Sequence, residues 1–379
     1  MLSLIPQEIK MLNRRDSFKF LAAAMAAGVT GVPAFSQAAE SVEKAPAGPD
    51  FPTEKDHWTM VIVPDTQSYV KYGRNQGILE LMTAWIQENA QKFRIQQVLV
   101  AGDLVEQNNA NRGSRYNQTS EQQWSAVSDA FKRLDGVLPY VVCTGNHDHG
   151  FYSAENRETN LSKYFFPERN PSWNGVLVEM GLNTFGQKTL ENAAFEFTTP
   201  AGQKMLTISL PFAPTDENLA WAKELAARPK YENHFVTVLT HSFMDGNAQR
   251  IVSEGYQLNK EGGNAGEAIW QKLVKPSKNI RLVVCGHRSG ADNWPECTSF
   301  RKDKNDAGKD VAQILFDTQA LGGGWNGNGG DGWIRLLEFS ADLKTVKART
   351  LSPLFDIIPG YRHMAWERSE RNEFTFTMD

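Results

Sequence analysis

A chain of 379 residues, 41% hydrophobic and 22% charged, has an ordinary globular composition and is long enough for one large domain or two smaller ones. A net charge of −4 provides no basic stripe for a phosphate backbone, so no nucleic acid is expected as a partner. Three Cys are too few for a disulfide framework: Cys143 and Cys285 end apolar runs and read as buried thiols, and a bridge from Cys285 to Cys297 is an option only in an oxidising compartment.

Residues 1–40 read as an N-terminal signal peptide. Arg14-Arg15 supply the basic region, residues 18–32 the apolar stretch, and Ser36-Gln37-Ala38 a small-x-small cleavage site. Asn13-Arg14-Arg15-Asp16-Ser17-Phe18-Lys19 resembles a twin-arginine signal, departing from it in the first residue and in Ser17. Met11 is the better initiator, because it brings the arginine pair close to the start. The apolar core is Ala-rich and short of the roughly 20 residues that a membrane span needs. The expectation is therefore export by the twin-arginine or general export machinery, cleavage, and a periplasmic or extracellular location with no stable membrane anchor. Residues 41–56 carry Pro46, Pro49 and Pro52 without apolar periodicity and read as a linker, which leaves 57–379 for the folded domain.

Within that domain strands and helices alternate. Met60-Val61-Ile62-Val63 is a buried strand running into Pro64-Asp65-Thr66-Gln67. Residues 78–93 are helical, with Ile78, Leu81, Met82, Trp85 and Ile86 on one face. Val98-Leu99-Val100-Ala101 runs into Gly102-Asp103. A helix over 121–134 presents Trp124, Val127, Phe131 and Leu134, and the run 138–143 leads into Gly145-Asn146-His147-Asp148. This βαβαβ rhythm predicts parallel strands with helical crossovers. Residues 151–200 are irregular and aromatic, an excursion followed by strands near 192–198 and 204–210. A short helix over 218–227 precedes the strand 235–239, which ends in Thr240-His241-Ser242. A helix over 264–274 precedes the strand 280–285, which ends in Gly286-His287. Strands over 311–316, 333–339 and 345–351 complete the pattern, and the order predicts two sheets packed together with helices outside.

Strand after strand thus delivers a polar residue at its carboxyl end, the edge at which α/β sheets build sites. The set is Asp65, Gln67, Asp103, Asn146, His147, His241 and His287. Carboxylate, amide and imidazole together suit zinc, manganese or iron. A carboxylate bridging two ions about 3.5–4 Å apart is a recurrent device of phosphate ester hydrolysis.

Taken in order, Asp65-Thr66-Gln67, Gly102-Asp103, Gly145-Asn146-His147-Asp148, His241 and Gly286-His287 resemble the pattern D-x-H, GD, GNH[DE], His, GHxH of the calcineurin-like metallophosphoesterase superfamily, over roughly residues 58–352. The resemblance implies an α/β fold, a four-layer αββα sandwich of two mixed β-sheets flanked by helices. It implies that Asp103 bridges two ions, that Asp65 ligates the first, and that Asn146, His241 and His287 hold the second with Asp103. His147 would sit beside the leaving oxygen as general acid, oriented by Asp148 or Glu106. The implied function is an exported, metal-dependent phosphoesterase, hydrolysing a phosphate monoester or diester by attack of a metal-bound hydroxide. The alternative is a non-catalytic binding or scaffold protein of the same fold with a degenerate first metal site.

Two positions depart from the pattern. Gln67 stands where the family has His, and Ser289 stands at the last His of GHxH. Both lost imidazoles belong to the first ion, leaving Asp65, Asp103, the Gln67 amide and water, an oxygen-rich and weaker set suited to harder ions. One or two divalent ions are therefore expected, with manganese, iron or zinc at the second site. Pro64-Asp65-Thr66-Gln67, Asp317-Thr318-Gln319 and Gly330-Asp331-Gly332-Trp333-Ile334-Arg335 resemble a sub-branch of the superfamily that shares these departures and whose substrate is poorly defined. Each position also has a plainer reading: Asp65 as a helix cap, His241 as a satisfied core histidine, Asn108 as loop structure rather than a phosphate contact. Arg288, near the lost His, offers a planar fork for phosphate. Residues 322–330 lack the Gly-Lys-Ser/Thr of a phosphate-binding loop and read as a rim or lid carrying Trp325.

Overall fold

The computed structural model describes residues 52–110 and 116–379. The targeting segment expected in residues 1–40, and the linker expected over 41–56 as far as residue 51, lie outside the described residues. The end of that linker is tied to the domain: the Thr53 N–H and hydroxyl both donate to Glu338 Oε1 at 2.6 Å.

The apolar runs form strands buried on both faces, which is why they read as continuous hydrophobic stretches rather than alternating ones. β1 (Trp58–Val63), β2 (Ile95–Val100) and β3 (Tyr140–Val142) pair in parallel. The helices Gln76–Asn89 and Ser120–Lys132 make the crossovers. The second begins in a capping box, with the Thr119 side chain accepting from the Gln122 N–H and the Gln122 side chain accepting from the Thr119 N–H.

The chain then builds a second sheet from β4 (Leu177–Leu182), β5 (Lys188–Thr198), β6 (Lys204–Ser209), β7 (Phe235–Leu239), β8 (Ile280–Cys285), β9 (Thr298–Lys304) and β10 (Asp310–Phe316), in the order β4-β5-β6-β7-β8-β10-β9. Its centre, β6-β7-β8-β10, is parallel, while β4, β5 and β9 add antiparallel flanks. The last strands, β11 (Ile334–Phe339), β12 (Thr345–Leu351), β13 (Trp366–Glu367) and β14 (Phe374–Thr377), return to the first sheet, which runs β13-β12-β11-β1-β2-β3 with β14 also on β12. β4, β9, β13 and β14 were not expected: β9 reads Thr-Ser-Phe-Arg-Lys-Asp-Lys, an edge strand with few apolar positions to betray it.

The sheets meet face to face. Trp58 lies edge-on to Phe197 with ring centroids 5.5 Å apart, and Thr207 donates to Gln97 Oε1 at 2.6 Å across the layer. On the outer face of the second sheet Leu219, Leu225, Ile269 and Leu273 pack against Leu206, Val236 and Val283. The predicted helix 264–274 is an α-turn, Gly266–Ile269, continued by a π-turn, Trp270–Val274. Two mixed sheets with helices outside are the expected sandwich. All three cysteines are free and buried, so Cys285 and Cys297 are not bridged. Among the described residues no helix is long and apolar enough to cross a membrane.

Register decides where the polar residues emerge. Val63 lies opposite Val100, Val100 opposite Val142, Leu239 opposite Val284, and Leu315 opposite Cys285. The parallel strands therefore end level, and the residues that follow them gather at one edge.

Candidate metal centre

The turn after β2 is strained. Gly102 has φ +95° and Asp103 φ +46°. A non-glycine residue in the left-handed region costs of order 1–3 kcal/mol and persists where its surroundings over-determine it. Here the Thr66 and Gln67 N–H groups donate to the Asp103 carbonyl at 3.1 and 2.9 Å, and the His147 N–H donates to Asp103 Oδ1 at 2.8 Å. Asp148 fastens the same turn, its carboxylate accepting from the N–H groups of Gly145 (2.8 Å), Leu104 (3.1 Å) and Val105 (3.1 Å). The motif glycines make room for carboxylates. A Cβ on Gly145 would lie 2.1 Å from Asp103 Oδ1, and one on Gly286 would lie 2.1 Å from Asp65 Oδ1.

One half of the centre is built on histidine. His241 Nδ1 lies 2.7 Å from the Ala101 carbonyl. A carbonyl only accepts, so Nδ1 carries the proton and Nε2 of the neutral ring presents its lone pair. Nε2 faces Asn146 Oδ1 at 3.1 Å, His287 Nδ1 at 3.2 Å and Asp103 Oδ2 at 3.3 Å. Asn146 gives its Nδ2 hydrogen to Ser153 Oγ at 2.9 Å, which turns Oδ1 inward. His287 Nε2 lies 3.1 Å from Glu254 Oε1, an ion-pair contact without hydrogen-bond geometry, and Nδ1 faces the centre. Asp103, His241 and His287 each offer a ligand atom within 4.8 Å of the others. Lone pairs opposed in this way repel, and a divalent cation among them turns the repulsion into ligation. The residues present therefore fit a metal. His287, like Asp103, is held at positive φ, +75°. Burial disfavours the charged form of His241, but the Asp103 carboxylate outweighs it and raises the pKa; at His287 burial prevails and lowers it.

The other half is built on oxygen. Asp65 is fully buried, its Oδ2 accepting from the His287 N–H at 3.1 Å and from Gln319 Nε2 at 3.4 Å. Gln319 Nε2 also donates to Asp317 Oδ2 at 3.0 Å, and Gln67 Nε2 donates to Gln319 Oε1 at 2.6 Å. Gln67 Oε1 is buried without a hydrogen-bond partner. Burial, then the charges of Asp317 and Asp103, raise the Asp65 pKa well above the usual carboxylate range; burial pushes Asp317 up to about 6.

His147 is half-buried beside these groups. Its Nδ1 lies 2.9 Å from the Glu106 carbonyl, so Nδ1 donates and Nε2 is left to exchange a proton. Neither carboxylate expected to orient it reaches the ring. The Glu106 carboxylate turns to Lys71 Nζ (3.5 Å) and the Tyr116 hydroxyl (2.8 Å), and Asp148 is taken up by backbone N–H groups. The orienting contact is a main-chain carbonyl. The Trp325 ring centroid lies 6.2 Å from that of His147, with Lys71 Nζ 3.7 Å from the Trp325 centroid.

Asn108, named as an option for a phosphate contact, is taken up by the surrounding loops. It is fully buried, donating to the carbonyls of Gly150 (2.8 Å) and Glu158 (3.1 Å) and accepting from the Asn160 N–H (2.9 Å). Its amide is wholly committed to holding loops together. Arg288 lies on the rim, where it donates to Glu254 Oε2 at 2.7 Å beside a groove of about 570 Å³ that Asp245, Asn247 and His287 also line. The sequence reading passed over Glu254 and did not treat Asp317 and Gln319 as site residues. Asp317 had a usable signal, because it too follows an apolar strand. Glu254 had none, lying in a loop without periodicity.

The family model for calcineurin-like phosphoesterases matches residues 59–288. The chain belongs to the calcineurin-like phosphoesterase family. That family hydrolyses phosphoesters with divalent metals, and Asp103, His241 and His287 lie inside the match as a possible metal site. A relative, the uncharacterised protein YvnB of Bacillus subtilis (strain 168), is 26% identical over 309 residues, which are 80% of this chain and 20% of that protein. The chain thus spans about a fifth of that relative's length. A solved structure titled GAP50, the anchor in the inner membrane complex of Plasmodium, is similar with a TM-score of 0.39 and 10% identity, covering 86% of this chain and 90% of that one.

Proposed function

We propose that this protein is an exported metal-dependent phosphoesterase acting on a phosphate monoester or diester. The observation that carries the reading is the convergence of Asp103 Oδ2, Asn146 Oδ1, His241 Nε2 and His287 Nδ1 beside His147, with His241 and Asn146 each hydrogen-bonded outward by their other polar atom. Asp103, Asn146, His241 and His287 would hold one ion. When bound, divalent ions act as Lewis acids on phosphoryl oxygens and acidify water. The protein's own share is orientation and proton transfer. Asp103 is fixed by the His147 N–H and the strained turn. As water adds to phosphorus and the ester P–O bond breaks, His147 Nε2 gives a proton to the departing oxygen. The Glu106 carbonyl keeps that nitrogen aimed. Burial works against a charged His147, but Asp103 and Glu106 outweigh it and raise its pKa, which favours the protonated form this step requires.

The test is direct. The purified protein, stripped with a chelator and reloaded with manganese, iron or zinc, should hydrolyse chromogenic mono- or diesters only when reloaded. A second reading, a non-catalytic binding protein of the same fold, draws on Gln67 and Ser289 in place of imidazoles. Absence of turnover with every ion, together with metal-free protein as isolated, would favour it. Export is tested by cell fractionation: Arg14→Lys with Arg15→Lys should keep the precursor inside if the twin-arginine route carries it.

A further inference from the structure

The two departures from the family pattern meet at one short loop. Gln67 Nε2 donates to Gln319 Oε1 at 2.6 Å, and Ser289 Oγ accepts from the Ala320 N–H at 3.2 Å. That loop, Asp317-Thr318-Gln319-Ala320, follows β10. β10 runs parallel to β8 with Leu315 opposite Cys285, so Asp317 leaves the sheet level with His287. The residues standing in for two imidazoles therefore both grip the loop that presents a new carboxylate at the same edge.

The carboxylate is tied to Asp65 through Gln319. Asp317 Oδ1 accepts from the Gln319 N–H at 3.1 Å, an ordinary Asx-type contact that shapes the loop. Oδ2 goes further, sharing the Gln319 side-chain N–H₂ with Asp65 Oδ2. One neutral amide thus holds two buried carboxylates without neutralising either. Asp65 Oδ2 also lies 4.0 Å from His241 Nε2, which faces Asp103 Oδ2 at 3.3 Å as well. Independently, Gln67 is 0% exposed and its Oε1 has no hydrogen-bond partner. Leaving a buried acceptor unpaired costs about 1–3 kcal/mol. The Nε2 of the same amide is already satisfied, donating to Gln319 Oε1, so the unpaired oxygen is the atom with a vacancy to fill.

We propose that Asp317 takes over from the lost imidazoles, so that the first ion is held by the carboxylates of Asp65, Asp103 and Asp317 and the amide oxygen of Gln67. Such an all-oxygen set selects a hard divalent cation of the magnesium, manganese or calcium class, whereas the histidine half suits zinc or iron. Gln319 is the positioning residue, setting Asp65 and Asp317 against each other. The inference rests on the metal-dependent reading above, but its test needs no turnover.

The metal-stripped protein is titrated with manganese, followed by the loss of the free-ion electron paramagnetic resonance signal, with and without zinc already bound. Wild type should take one manganese per chain on top of one zinc. Asp317→Asn should weaken that manganese at least as much as the ~10–100-fold typical of losing an outer partner of a metal site, with zinc affinity unchanged. Gln319→Met, which removes the relay but no ligand, should weaken the same ion less; it also serves if Asp317→Asn does not fold. A zinc-loaded wild type that takes no manganese, or variants that bind it with wild-type affinity, would overturn the assignment. Ion binding as described without ester cleavage would sink only the phosphoesterase reading.

Discussion

The histidine half and the oxygen half of the centre sit at the same sheet edge but are held in different ways. In the first, each ligand has its own outside neighbour: His241 hydrogen-bonds the Ala101 carbonyl, Asn146 hydrogen-bonds Ser153, and His287 lies within ion-pair distance of Glu254. In the second, the groups hold one another: Gln67 grips Gln319, and Gln319 grips Asp65 and Asp317. Independent anchoring makes a site tolerant, because loss of one anchor loosens one ligand. Mutual anchoring makes a site cooperative, because loss of one member releases the others. Asp103 is proposed to belong to both halves.

That contrast can be broken most forcefully at Asp103. Asp103→Asn should release ions from both halves and lower turnover by more than the ~10²–10³-fold that one preorganised electrostatic contact supplies. Steady-state kinetics and metal analysis on one sample check it; metal retained in either half would show that the halves do not share this residue. His147→Ala should lower kcat by about 10²–10⁴-fold with both ions retained, and more on esters with poor leaving groups, as expected for lost proton transfer. Glu254→Gln should weaken zinc in the histidine half by ~10–100-fold and leave manganese in the other half alone, measured by competition with a chromophoric chelator. The smallest effect is expected for Ser289→Ala. Its lost acceptor should lower stability by roughly 0.5–1.5 kcal/mol in urea unfolding and loosen only the oxygen half.

The sequence made the strand ends readable because buried parallel strands appear as unbroken apolar runs, and the ligands follow them directly. The two sheets, their helices and the positions of Asp65, Asp103, Asn146, His241 and His287 at one edge rest on that simple signal. What it hid was the choice of atom and partner. Glu106 lies near His147 as supposed, yet it is the carbonyl that touches the ring while the carboxylate serves Lys71 and Tyr116. Asp148 follows His147 directly but turns back to the main chain. The Gln67–Gln319 contact joins residues 252 positions apart, beyond the reach of any local pattern. Asn108 looked available because loop amides usually are; only packing revealed that every hydrogen-bonding group of its side chain is in use.

The most direct measurement follows bound ion and ester hydrolysis together as metal-free protein is titrated. Chemistry carried by this centre predicts no turnover without ion and a rise that tracks occupancy of the site formed by Asp103, Asn146, His241 and His287. Full turnover by the metal-free protein, or saturation of that site with no turnover of any mono- or diester, would contradict it.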